Sequence, residues 1–77
     1  IESPERLLLT EEIKRTIFDA IGKLPDSVRT AITLREMEGL SYDEIATTMN
    51  CPVGTVRSRI FRARESIDTS LKLLLEN

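Results

Sequence analysis

Residues 41–65, Ser-Tyr-Asp-Glu-Ile-Ala-Thr-Thr-Met-Asn-Cys-Pro-Val-Gly-Thr-Val-Arg-Ser-Arg-Ile-Phe-Arg-Ala-Arg-Glu, decide the fold. Ser41 followed three residues later by Glu44 is a capping box, in which hydroxyl and carboxylate satisfy orphan amides reciprocally. Ile45, Ala46 and Met49 then recur at helical spacing, so a short helix is predicted from Tyr42 to about Asn50. Asn50-Cys51-Pro52 ends it, because Asn tolerates the left-handed conformation and proline both disfavours helix before it and suits a new first turn. A longer helix starts near Val53 and runs to about Leu74. The outline is that of a helix-turn-helix spanning about 41–66, whose second helix enters the major groove. Asn50 occupies a turn position that many such motifs give to Gly.

At 100° per residue, Val53, Val56, Ile60, Ala63, Ile67 and Leu74 lie within about 60° of one line on the long helix. They form its buried face; Ile45, Met49, Val53, Val56 and Ile60 form the apolar seam between the two helices, with Ala46 at their close crossing. Opposite lie Gly54, Ser58, Phe61, Arg62 and Glu65, flanked by Thr55 and Arg57, with Arg59 and Arg64 nearer the core edge. Arg57 and Arg62 can offer a bidentate fork to guanine, and Ser58 can donate to base or phosphate. Thr55 and the free amides at the helix start can hold a phosphate. Phe61 either covers the core edge or meets a thymine methyl or a partner. Cys51 is expected to fill the turn as a small hydrophobe, and Tyr42 to pack with its hydroxyl wet.

Upstream, Leu9, Ile13, Ile17, Ala20, Ile21 and Leu24 recur at steps of three and four, and Ser3-Pro4 supplies a cap and a first-turn proline. A first helix is predicted from Pro4 to Lys23. Asp26 is expected to cap a second helix, with Val28, Ala31 and Ile32 on one face, Leu34 and Met37 on the other, and Gly39 as its stop. Apolar on two sides, that helix is expected to be central. Arg35 shares the apolar face, so its head must reach solvent, Glu38 or a phosphate, the last being preferred. With no strand alternation, winged elements are not expected. Residues 1–77 read as a single all-α, four-helix domain with a C-terminal helix-turn-helix.

Composition narrows the function. The chain has 77 residues, 11 Lys plus Arg, 13 Asp plus Glu and no His, for a net charge of −2. Lacking His and holding only Cys51, it has neither the commonest general base nor a multi-cysteine metal site. No catalytic residue, metal, cofactor or small-molecule substrate is expected. The charge is uneven: residues 1–44 carry −4, residues 45–64 carry four Arg and no acid, and residues 65–77 carry −2. Affinity for nucleic acid follows the local field, so the acidic average misleads. Four Arg on one helix are commonly a solvated face, but these lack the i to i+4 acidic partners such faces carry before Glu65. No apolar run exceeds three residues, so no membrane insertion and a cytoplasmic location are expected. The chain opens on Ile1 rather than Met and is expected to be a piece of a longer polypeptide.

Leu24-Pro25 through Ala31-Ile32-Thr33-Leu34-Arg35-Glu36, Gly39-Leu40-Ser41-Tyr42-Asp43-Glu44-Ile45-Ala46, and Cys51 through Glu65 closely resemble region 4 of bacterial sigma factors of the extracytoplasmic-function group, especially the sigma-E type. The resemblance covers nearly the whole chain, and the run from Cys51 to Glu65 is highly specific. It implies a four-helix domain that reads the minus-35 promoter element in the major groove for RNA polymerase. Arg57, Ser58, Phe61 and Arg62 match the family's base-reading and groove positions, and Arg35, Thr55 and Arg59 its backbone-contact region. It further implies docking on the polymerase beta-flap, sequestration by an anti-sigma factor, and service in a stress response. Region 2, which melts and reads the minus-10 element, is not in these residues. Two alternatives stand beside this reading. One is the output domain of a response regulator, which shares the Gly-Leu-Ser start and the Thr-Val of the second helix but usually continues with Lys and His. The other is a purely protein-binding helical module, suggested by the acidic first helix and the C-terminal leucines.

Overall fold

The computed structural model describes residues 3–76, and among them there are four helices and no strand: α1 (Pro4–Gly22), α2 (Asp26–Glu36), α3 (Tyr42–Met49) and α4 (Val53–Leu75). Local chemistry sets most boundaries. The Ser3 hydroxyl accepts from the Arg6 amide at 3.2 Å with Pro4 in the first turn, and α1 ends one residue short of the predicted Lys23. The capping box of α3 is complete: the Glu44 amide donates to Ser41 Oγ at 3.1 Å and the Ser41 amide to Glu44 Oε1 at 2.9 Å. The Ser41 amide, and then its hydroxyl, hold the Glu44 carboxyl below its ordinary pKa.

Asn50 closes α3 in the left-handed conformation at φ 53°. The Cys51 amide returns to the Ala46 carbonyl at 3.0 Å and the Asn50 amide to that of Thr47 at 3.2 Å, the reciprocal pair of a Schellman motif. Gly39, at φ 70°, makes the equivalent reversal after α2. The expected cap at Asp26 is not formed. Pro25 holds the N-cap position and has no acceptor side chain, while Asp26, one residue later, is already helical. Its carboxylate pairs with Arg29 instead, and Arg29 Nη1 donates to the Leu24 carbonyl at 3.1 Å, tying α2 to the preceding turn.

Leu24, Val28, Ala31, Ile32, Ile45, Val56, Ile60 and Ala63 form one contiguous core. Ile21, Leu34, Leu40, Tyr42, Ala46, Met49 and Cys51 pack against it, as expected for Tyr42 and Cys51. The central element is α4 rather than α2: it packs against α1, α2 and α3, whereas α2 meets chiefly α4 and α3. The second apolar side assigned to α2 is only half real. Leu34 is partly buried, but Met37 lies past the last helical residue and is 63% exposed. Leu9, placed on the α1 stripe, is also exposed, because the α1 stripe becomes buried only toward Ala20 and Leu24. None of the described helices is long and apolar enough to cross a membrane.

Ile45 beneath α4 is fully buried, and side chains of that size stabilise by about 1.5–3 kcal/mol each. Ala46 beside it is half-buried and packs against the same cluster. Ala46→Leu should therefore overpack the α3–α4 crossing and cost about 1–3 kcal/mol, read as a lower denaturant midpoint at unchanged m-value. A midpoint equal to the parent's would contradict this crossing.

Candidate nucleic-acid interface

Val56, Ile60 and Ala63 are buried, and their spacing fixes the rotation of α4 about its axis. The opposite strip then faces out: Gly54, Arg57, Ser58, Phe61, Arg62 and Glu65 are all exposed, with Thr55 half-buried on its flank. Phe61 is 68% exposed, which removes one of the two readings the wheel left open. It does not cover the core edge. A large aromatic ring turned to solvent is the kind of side chain a soluble surface seldom leaves uncovered.

The cations divide into free and engaged. Arg57 and Arg62 make no ion pair and no side-chain hydrogen bond among the described residues. Arg59 is half-buried and lies back across the turn, its Nη1 directed at Cys51 Sγ (3.6 Å) and Met49 Sδ (3.9 Å). Sulfur is a weak acceptor, so little holds the guanidinium there. Arg64 forms an ion pair with Glu36 of α2 at 2.9 Å. That hydrogen bond, with a lesser contribution from Tyr42, raises its pKa further.

Arg35 reaches neither Glu38 nor open solvent as its main partner. Its Nη1 donates to the Leu40 carbonyl at 2.9 Å and its guanidinium lies 5.1 Å from the centre of the Tyr42 ring, a cation–π contact. The residue thus braces the α2–α3 turn. This role escapes sequence reasoning because no local pattern marks the Leu40 carbonyl as an orphan.

The start of α4 is the least capped in the chain. Pro52 gives no side-chain cap and no acid lies in the first turn. The Thr55 amide is taken by the Pro52 carbonyl at 3.0 Å, which leaves the Val53 and Gly54 amides without a partner among the described residues. A Cβ at Gly54 would meet nothing within 4 Å, so the first turn of α4 is uncrowded at that position. Free amides plus the positive end of the helix dipole suit a phosphate.

A second surface lies away from this strip. A groove of about 370 Å³ between α1, α2 and α4 is lined by Phe18, Ile21, Met37 and Ile67, with the Glu36–Arg64 pair on its rim. At the ends of α1 and α4, Leu8, Leu73 and Leu75 are also exposed. Met37 is exposed there because α2 stops at Glu36, one residue before it.

Residues 14–67 match the family model described as Sigma-70, region 4. Over 75 residues, 97% of the chain, it is 65% identical to an RNA polymerase sigma-H factor of Pseudomonas aeruginosa. Over the same length it is 59% identical to ECF RNA polymerase sigma-E factors of Salmonella typhimurium and Escherichia coli. The chain spans 39% of the length of each of these relatives. A capped short helix, a left-handed turn and an arginine-faced long helix on a four-helix core agree with these matches, and the chain belongs to the Sigma-70, region 4 family, as a region 4 domain of the extracytoplasmic-function type.

Proposed function

We propose that α4 reads the minus-35 promoter element from the major groove and so tethers RNA polymerase to the promoter, a binding role with no catalytic step. One observation carries this: among the described residues Arg57 and Arg62 have no side-chain partner, and they stand beside an outward Phe61 on the face opposite the buried stripe. Arg57, Ser58, Phe61 and Arg62 meet base edges, the arginines as forks for guanine and Phe61 as a partner for a thymine methyl. Thr55, with the free amides at the start of α4, takes one phosphate. Arg59 swings from its sulfur contacts to a second. Arg35 keeps Nη1 on the Leu40 carbonyl and offers its remaining donors to a third. In this reading residues 1–77 act as one domain, with the helix-turn-helix at about 41–66, working in the cytoplasm.

A single such module covers roughly 600–1,000 Å² and has no second half-site, so alone it should bind DNA near the non-specific range of about 10⁻⁴–10⁻⁶ M at physiological salt. Occupancy therefore needs a protein tether. The apolar surface supports one: Leu73 and Leu75 are 62% and 58% exposed, and Phe18 and Leu8 lie open on α1. Several large apolar residues left exposed on a small domain are read here as an interaction surface. The beta-flap of the polymerase, or an anti-sigma factor laying a helix in the groove, is the partner this reading assigns.

Two tests follow. Arg62→Ala should lose about 1–3 kcal/mol on a preferred duplex and little on a scrambled one, whereas Arg59→Ala should weaken both and lower the salt slope by about one. Equal losses on both duplexes would remove Arg62 from the base-reading set. For the partner surface, Leu73→Ser with Leu75→Ser should weaken binding to the flap domain or to a cognate anti-sigma factor in calorimetric titration. Unchanged affinity for both, in a folded variant, would dispose of that surface.

A further inference from the structure

We propose that Glu65 is a specificity-determining residue of α4, accepting a hydrogen bond from an exocyclic amino group, cytosine N4 or adenine N6, next to the base taken by Arg62. The proposal rests on the reading of α4 as the groove helix and extends it to a residue of opposite charge. Glu65 lies three residues beyond Arg62, four beyond Phe61 and seven beyond Ser58, so it continues the same exposed strip. It is the first acid after twenty residues that hold none.

Its carboxylate is uncommitted. Among the described residues it enters no ion pair and no hydrogen bond, although Arg62 is one turn away. Only its main-chain carbonyl is used, accepting from Thr69 Oγ1 at 3.0 Å. Arg62 and Glu65 line one surface depression of about 290 Å³ together with Ser66 and Thr69. The rise from Arg62 to Glu65 is about 4.5 Å, against about 3.4 Å between base pairs. The two heads therefore address neighbouring steps.

The selectivity is chemical. A carboxylate has only acceptors, and so do guanine N7 and O6 and thymine O4. The base donors of the major groove are the amino groups of cytosine and adenine. A carboxylate held in the groove beside Arg62 is repelled by guanine and thymine and paired by cytosine or adenine, complementing an arginine that takes the guanine acceptors. A glutamate that merely sat outside the groove would instead repel phosphates and weaken all duplexes alike.

The test measures fluorescence anisotropy of the chain against a duplex it selects from a random pool, with each base pair replaced in turn. Parent, Glu65→Gln, Asp68→Asn and Arg62→Ala are compared. The parent should prefer cytosine or adenine at one position by about fivefold or more, the lower range of base discrimination. Glu65→Gln should flatten that position alone, because its amide can also donate to guanine O6 or thymine O4, and Asp68→Asn should flatten none. An unchanged panel, or a uniform tightening on every duplex, would overturn the proposal. If Arg62→Ala also leaves every preference intact, the groove reading itself fails. If it removes a preference that Glu65→Gln spares, only the role of Glu65 falls. Equal thermal melts by circular dichroism establish that the variants are folded.

Discussion

Everything else in this domain depends on the burial of Val56, Ile60 and Ala63 against the other three helices. Two of these side chains carry the transfer energy of β-branched hydrocarbon, about 1.5–3 kcal/mol each, while an exposed ion pair such as Arg64–Glu36 contributes at most about 1 kcal/mol. Packing therefore sets the rotation of α4, and the ion pair follows. Because the helical period is fixed, seating that stripe turns Arg57, Ser58, Phe61 and Arg62 outward without any interaction of their own. The face proposed to read DNA is a geometric consequence of the core. In a chain of 77 residues, with a net stability of only a few kcal/mol expected, one core substitution would disturb both.

The two helices of the motif are finished differently. α3 is short, and at eight residues would be marginal alone. It is closed at one end by the Ser41–Glu44 capping box and at the other by the left-handed Asn50. α4 is long and held by packing, so it tolerates an uncapped start, where Pro52 breaks the chain and the Val53 and Gly54 amides stay free. The orphan donors of a helix must be satisfied by something. Here the Val53 and Gly54 amides have no partner among the described residues, and they start the same helix that carries Arg57 and Arg62. Anchoring by phosphate and reading by side chain would then share one rigid element.

The parts legible from sequence are those set by neighbours in the chain. Helix ends at Ser3, Ser41, Asn50 and Pro52 are local capping events, and the α4 stripe is plain periodicity, so these boundaries agree to within a residue or so. Asp26 shows the limit of such reasoning: it is a good capping residue placed one position too late after a proline. The parts that were not legible depend on what lies across space. Glu36 and Arg64 are 28 residues apart, and their pairing follows only once α2 lies along α4. The bracing role of Arg35 depends on the path of the Leu40 backbone. The centrality of α4 over α2, and the groove beside Phe18 and Met37, likewise follow from tertiary packing rather than from either helix alone.

The central claim is that the outward strip of α4, and not the apolar groove, is where DNA is read. Amide chemical-shift mapping of the isotope-labelled chain, titrated with a duplex that it selects from a random pool, addresses this most directly. The account predicts that the largest shifts cluster at residues 53–62 with Arg35, while Phe18, Met37 and Ile67 stay in place. Largest shifts around Phe18 and Met37, with residues 57–62 unmoved, would contradict it.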